Sequence, residues 1–303
     1  MDRPDPVSAA VDLRSVIDHL STGGPWHVSL VDADSAPVTA ASDLTTAAVL
    51  VPNLSEHLVP GVLVELLAVP AVAGLHVVSD DPMLMVAVRQ AAALARAVGH
   101  GVSPALVPTH RASERAEVVL DPRRMAVPRR TLFGAHRVGA APRSETDRLV
   151  RAVAALTGGT IPPALDRLPT GVPRWETRGC NENGACARIC PVQALDLIAP
   201  TATADDESDD GAPRQWGLTI HDTVCIGCGL CATACPEQAL ASDRSLTWSE
   251  LLSGRDTRVL DAGLRHPCRR CGTPQPTADG LCRICAQTFA DPFAVHLPNR
   301  RGH

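Results

Sequence analysis

Cys225-Ile226-Gly227-Cys228-Gly229-Leu230-Cys231-Ala232-Thr233-Ala234-Cys235-Pro236 is the stretch from which the rest of the chain is read. Its spacing is C-x2-C-x2-C-x3-C-P, the bacterial run that ligates iron and sulfide. Three closely spaced thiolates wrap one cluster, and the small residues between them let backbone amides approach its sulfides. The fourth thiolate is carried away by a further turn, where Pro236 removes one competing amide donor and redirects the chain. A zinc site or a redox C-x-x-C would require neither four thiols at this spacing nor the proline.

The pattern recurs upstream with one substitution. Cys180, Asn183, Cys186, Cys190 and Pro191 align with Cys225, Cys228, Cys231, Cys235 and Pro236. Gly184 aligns with Gly229, and Cys190-Pro-Val-Gln-Ala-Leu195 with Cys235-Pro-Glu-Gln-Ala-Leu240. Asn183 stands where the second thiolate is expected.

On these residues, the segment from about Trp175 to Ser242 resembles a dicluster bacterial-type ferredoxin domain in its seven-iron variant, over less than a quarter of the chain. The resemblance implies an α+β fold of two pseudo-symmetric halves, each a pair of short strands with a helix, and a role in one-electron transfer. In such domains the fourth cysteine of each run ligates the other cluster. Carried onto this sequence, the resemblance implies a [4Fe–4S] cluster on Cys225, Cys228, Cys231 and Cys190. A second cluster falls to Cys180, Cys186 and Cys235, with Asn183 at the missing ligand position. A carboxamide is a poor iron ligand beside thiolates, so the expected second centre is [3Fe–4S]. A [4Fe–4S] centre with solvent or an outside ligand on its unique iron, and no second cluster at all, are the alternatives. With no base or substrate pocket legible beside the open corner, no catalytic residue is expected.

The remaining cysteines form two knuckles, Cys268-Arg-Arg-Cys271 and Cys282-Arg-Ile-Cys285. Two C-x2-C knuckles can present four thiolates tetrahedrally and staple a segment too short for its own core, so zinc on Cys268, Cys271, Cys282 and Cys285 is expected in a zinc-ribbon-like module. Iron and free dithiols are the competing readings. Arg269, Arg270 and Arg283 could touch nucleic acid, but the nearby aromatics, Phe289 and Phe293, both lie past the last knuckle. A structural cap or protein-docking module is the expectation, and nucleic acid is not. All 11 cysteines lie between Cys180 and Cys285, a distribution that favours metal ligation over disulfides.

Upstream, helix and strand signals alternate. Val7 to Leu20 has helical spacing, and Trp26–Val31, Ala47–Val51, Leu75–Val78 and Ala116–Leu120 read as strands. Ser55–Val69 and Pro82–Val98 read as helices, the first interrupted by Pro60-Gly61 and the second opened by Asp81 as N-cap with Pro82 at its first position. The expected fold is an α/β domain, a parallel sheet with helices on its faces. No phosphate-binding glycine motif accompanies it. His57, His76 and His100 could line a pocket, but a scaffold or docking role is preferred.

The expected domains are 1–121 (α/β), 122–174 (basic, proline-rich connector with a helix over Ser144–Leu156), 175–245 (ferredoxin-like) and 246–303 (zinc-ribbon-like). In the connector, Pro128-Arg129-Arg130-Thr131-Leu132-Phe133-Gly134 superficially resembles a twin-arginine export signal, but no apolar region follows. Asp205-Asp206-Glu207-Ser208-Asp209-Asp210, between the two cysteine runs, reads as a hydrated loop.

Composition limits what remains. In 303 residues there are four Trp, three Phe and no Tyr, so the core rests on Ala, Val and Leu, and stacking platforms for single-stranded nucleic acid are scarce. A net charge of −5 gives no global pull toward nucleic acid or an anionic membrane. No apolar run is long enough to span a bilayer and the start of the chain lacks a secretory apolar region, so a reducing cytoplasm is expected. The expected function is an iron–sulfur electron-transfer protein or redox subunit working with an oxidoreductase partner, more a carrier than an enzyme by itself. A redox-sensing regulatory module with a structural zinc ribbon is the alternative, and an enzyme with its active site in the N-terminal domain is a third reading.

Overall fold

The structure, a computed structural model, describes residues 13–33, 39–40, 46–51, 53–54, 58–109, 115–116, 118–122, 125, 142–198, 214–253, 257–271, 274–275, 280–282 and 285–286. The chain forms two compact units that alternate along the sequence. The first comprises Met1–Pro173, Asp222–Cys228 and Arg244–Asp256; the second comprises Arg174–His221, Gly229–Asp243 and Thr257–His303. Among the described residues no helix is long and apolar enough to cross a membrane.

The first unit opens with α1 (Arg14–Ser21), β1 (Trp26–Asp32), β2 (Thr39–Ala40) and β3 (Thr46–Val51). It continues with α2 (Pro60–Leu67), β4 (Val72–Val78), α3 (Leu84–Ala97), β5 (Ala105–Val107), β6 (Arg115–Ala116), β7 (Val118–Leu120) and α4 (Glu145–Thr157). Among the described residues, a sheet of order β5-β4-β1-β3-β7 pairs in parallel throughout. Strands covered on both faces need apolar residues on both, which is why β3 reads TAAVLV without alternation. Val28, Leu30, Val49, Leu63, Leu75, Val77 and Ala91 are fully buried, giving the aliphatic core that the scarcity of aromatics required.

Several boundaries differ from expectation for local reasons. Of the helix expected over Ser55–Val69, residues 55–57 lie outside the described residues and α2 starts at Pro60, because the residue before a proline is driven out of the helical region and Val59 is extended at φ −115° and ψ 156°. Asp81 does not cap a helix starting at Pro82. Its Oδ1 accepts the Met83 N–H at 2.9 Å, and the turn that follows bonds i to i+3, so α3 begins at Leu84. The strand expected over Ala116–Leu120 splits: β6 pairs with β2 and β7 with β3. Strand β5, three residues long, carried no distinct pattern. The start of the first helix lies outside the described residues, as do the twin-arginine-like stretch and the acidic run.

In α4, Ser144 caps the N-terminus through its side chain and Gly158 ends the helix in the left-handed region at φ +57°. Glu145 Oε1 accepts the Gly61 N–H at 2.7 Å, at the start of α2. A Cβ on Gly61 would lie 2.2 Å from that oxygen, so a side chain there would push the carboxylate away from the Gly61 N–H. Burial pushes the Glu145 carboxyl up to about 7, against the opposing pull of the Gly61 N–H and the Arg148 guanidinium.

The second unit holds β8 (Glu176–Thr177), α5 (Ala185–Ile189), β9 (Leu195–Ile198), β10 (Arg214–Ile220), α6 (Leu230–Thr233) and β11 (Leu240–Ala241). After α7 (Trp248–Leu252), which belongs to the first unit, come β12 (Arg258–Pro267) and β13 (Pro274–Gln275). Strand β8 pairs antiparallel with β11, and β9 with β10. Each half contributes two strands and a helix, as the resemblance implied, but each ladder joins one strand from each half. The second pair is extended to the order β13-β12-β10-β9 by strands that follow the repeat.

Candidate metal centres

The internal repeat is present as geometry. Gly184 and Gly229, at φ +68° and +73°, are the left-handed residues that start α5 and α6. Cys186 and Cys231 each follow as the second residue of their helix, and both are buried. Cys190 Sγ accepts the Ala194 N–H at 3.2 Å, and Cys235 Sγ accepts the Ala239 N–H at 3.3 Å. Gln193 and Gln238 are left-handed at φ 51° and 50°, which turns each chain back over its cysteine. N–H donation of this kind stabilises negative charge on sulfur.

Three thiols of the second expected ligand set come together within the second unit. Cys180, Cys186 and Cys235 interact electrostatically, and burial pushes the Cys180 and Cys186 thiols up from their ordinary value. Desolvation disfavours thiolate charge, and iron would compensate it. Asn183 is half-buried with its carboxamide engaged locally: Oδ1 accepts the Ala185 N–H at 2.8 Å and Nδ2 donates to Asn181 Oδ1 at 2.6 Å. Asn181 in turn donates to Glu237 Oε1 at 3.0 Å.

Cys225 and Cys228 lie in the first unit, Cys190 and Cys231 in the second. Cys225 is buried and Cys228 exposed. Thr146 Oγ1, in α4, donates to the Cys225 carbonyl at 2.9 Å. Gly227, at φ +69°, lies so close to Gly171 that a Cβ would be 2.5 Å from the Gly171 carbonyl oxygen. Thr146 was invisible to sequence reading, because nothing local marks a hydroxyl that serves a carbonyl 79 residues away.

The Sγ atoms of Cys268, Cys271, Cys282 and Cys285 all lie within 4.8 Å of one another. Tetrahedral zinc with bonds of about 2.3 Å sets its sulfurs about 3.8 Å apart, so a small contraction suffices. Cys268 Sγ accepts the Cys282 N–H at 3.2 Å, which pulls that thiol down to about 6. The Cys285 thiol is pushed up to about 12, first by its hydrogen bond to Cys271. Four adjacent thiols pulled in opposite directions suit a divalent cation that takes them as thiolates. Buried Gln275 donates to the Gly280 carbonyl and closes the loop between the knuckles.

Outside these centres, His76 is exposed and the Nδ1 of His100 bonds within its own turn, to Val102, while His57 lies outside the described residues. Among the described residues no histidine joins a group that could hold a metal ion. Arg269 and Arg270 are exposed.

A twofold cysteine run with mirrored glycines, helices and amide–sulfur bonds defines a dicluster iron–sulfur domain of the ferredoxin type, and residues 178–239 match the family model for a 4Fe-4S dicluster domain. Among similar proteins, Ferredoxin-3 of Nostoc sp. is 37% identical over 62 residues, 20% of this chain and 61% of that protein. Pyruvate-flavodoxin oxidoreductase of Klebsiella pneumoniae is 29% identical over 161 residues, 41% of this chain and 13% of that protein. The chain therefore spans less than two thirds of the ferredoxin and a small part of the oxidoreductase. Both similarities fit iron–sulfur electron transfer.

Proposed function

We propose that the chain is an electron-transfer protein or redox subunit that passes single electrons through a [4Fe–4S] cluster and a second, [3Fe–4S], cluster to or from an oxidoreductase. Cys190, Cys225, Cys228 and Cys231 hold the first; Cys180, Cys186 and Cys235 hold the second. The observation that carries the three-iron reading is the Asn183 carboxamide, with both ends bonded inside its own loop. Turning it toward iron would break the bond that opens α5. When bound, such clusters accept and release one electron with no side-chain catalyst. The protein's part is to bury the sulfurs and direct the Ala194 and Ala239 amides at Cys190 and Cys235, which favours the reduced state.

In the same reading Cys268, Cys271, Cys282 and Cys285 hold zinc with no open position, a structural staple. An oxidoreductase partner is supported by the similarity to pyruvate-flavodoxin oxidoreductase, whose 161 residues exceed the dicluster match of residues 178–239. A cytoplasmic setting suits eleven thiols that need a reducing environment.

The test is EPR on anaerobically purified protein before and after dithionite, with iron, sulfide and zinc measured on the same sample. The expected result is a three-iron signal when oxidised, a four-iron signal on reduction and one zinc per chain. Absence of any reducible cluster would overturn electron transfer and leave a metal-stapled interaction protein.

A further inference from the structure

Strand β12 brings a half-buried charge to the residue that opens the first cysteine run. Arg265 Nη2 donates to the Cys180 carbonyl at 2.8 Å. Its guanidinium lies 4.4 Å from the centroid of the Trp216 ring. Trp216 pairs with Gly263 across the sheet, and a Cβ on Gly263 would come within 3.3 Å of the indole nitrogen, so glycine makes room for the ring beneath the arginine. The Glu182 carboxylate, two residues after Cys180, completes the group, with Oε2 3.8 Å from Arg265 Nε. The two side chains are only 13% and 7% exposed, and neither of those facing atoms makes a hydrogen bond.

As a source of stability this arrangement is poor. A buried ion pair with unsatisfied facing atoms does not recover its desolvation cost, and apolar residues of similar size would serve the fold as well or better. What the charge does have is a direction, because its hydrogen-bonded end meets Cys180, whose thiol stands in mutual electrostatic contact with Cys186 and Cys235. A second charged side chain on the same strand, the half-buried Asp261, pairs with Leu218 across the sheet, two residue pairs along from Trp216 and Gly263, and its carboxylate opposes negative charge on Cys180.

We propose that Arg265 is a positioning residue that braces the Cys180 loop and raises the reduction potential of the cluster held by Cys180, Cys186 and Cys235, with Asp261 opposing it. The inference rests on the ligand sets given under Proposed function. Its physical basis is that a fixed guanidinium favours the added electron and a fixed carboxylate disfavours it, both acting through a low-dielectric region. The effect is selective, since both charges sit on one strand beside one ligand residue. Trp216 adds to it by keeping the guanidinium stacked and dry.

The experiment is an EPR-monitored redox titration of the full chain, comparing the unaltered protein with Arg265→Gln, Arg265→Lys and Asp261→Asn. Expected is a shift of the second cluster's couple to more negative potential in Arg265→Gln, most of the original value kept in Arg265→Lys, and a positive shift in Asp261→Asn. The four-iron couple stays put and the spectral line shapes persist, which a merely structural role would not combine with a shifted midpoint. Unmoved midpoints in Arg265→Gln and Asp261→Asn, with both signals intact, overturn the inference. If Arg265→Gln fails to assemble the second cluster, Asp261→Asn decides alone: a positive shift supports the inference and none overturns it. Lack of a second couple in the unaltered protein refutes the ligand assignment itself, and this inference falls with it.

Discussion

Asn183→Cys tests the second ligand set at one atom. Removing the carboxamide releases the Ala185 N–H, bonded at 2.8 Å, and leaves Asn181 Oδ1, bonded to it at 2.6 Å, with the Asn183 backbone N–H at 3.3 Å. Each neutral hydrogen bond contributes about 1 kcal/mol, and water replaces much of it at a half-exposed turn, so the net loss is ~1 kcal/mol, or about 3 °C in melting temperature. Asn183→Ala shows that loss alone. In Asn183→Cys a thiolate completes C-x2-C-x2-C, and the open corner gains its iron. Iron content should rise by about one per chain, the oxidised three-iron EPR signal should vanish, and a second signal should appear on reduction. The lost stability should return in the loaded protein and not in Asn183→Ala. A folded Asn183→Cys protein with unchanged iron and an intact three-iron signal would refute the reasoning, because the internal repeat would then point to the wrong atom.

Three further outcomes follow from other parts of the chain. Gly227→Ala puts a Cβ 2.5 Å from the Gly171 carbonyl oxygen at a φ of +69°, costing ~1–2 kcal/mol in backbone strain alone. The four-iron signal should fall before the three-iron one, and normal loading would show that Cys225 and Cys228 do not depend on that contact. Glu145 has its carboxyl pushed up to about 7 from 4.5, so the stability tied to its protonated form is complete below 4.5 and is lost as pH rises through about 7. Its side chain is 34% exposed, which screens the effect to ~1 kcal/mol; urea denaturation across that window should show a slope that Glu145→Gln removes, and equal slopes would clear Glu145 of the role. Cys282→Ser should abolish zinc binding and lower the melting temperature while both cluster signals persist; undiminished zinc would mean the tetrathiolate is not its site.

What could be read beforehand was what depends on spacing along the chain. The cysteine runs, Gly184 and Gly229 act within a few residues, so their pattern and their geometry coincide. The parallel sheet was legible because buried strands such as β3 must be apolar throughout. Strand β5 was missed because three residues, partly exposed, carry no period. The start of α2 was shifted by the proline at its first turn, a signal present in Pro60 but weaker than the apolar spacing around it. Thr146 at Cys225, Gln275 at Gly280 and Arg265 at Cys180 depend on which strands and helices become neighbours, and no local pattern encodes that.

The strand that carries Arg265 also limits how portable this electron-transfer module is. Residues 178–239 match the dicluster family model, yet here β10 has β9 on one side and β12, from beyond that segment, on the other. Excising the matched segment would strip a seven-residue strand, which carries the apolar Trp216, Leu218 and Ile220, of one partner and leave an open edge on which chains aggregate. A transplant would have to extend through Pro267, the residue before the first knuckle at Cys268, to keep β12 whole. In this chain the iron–sulfur segment and the tetrathiolate segment share one sheet, with β12 holding β10 on one side and β13, from between the knuckles, on the other.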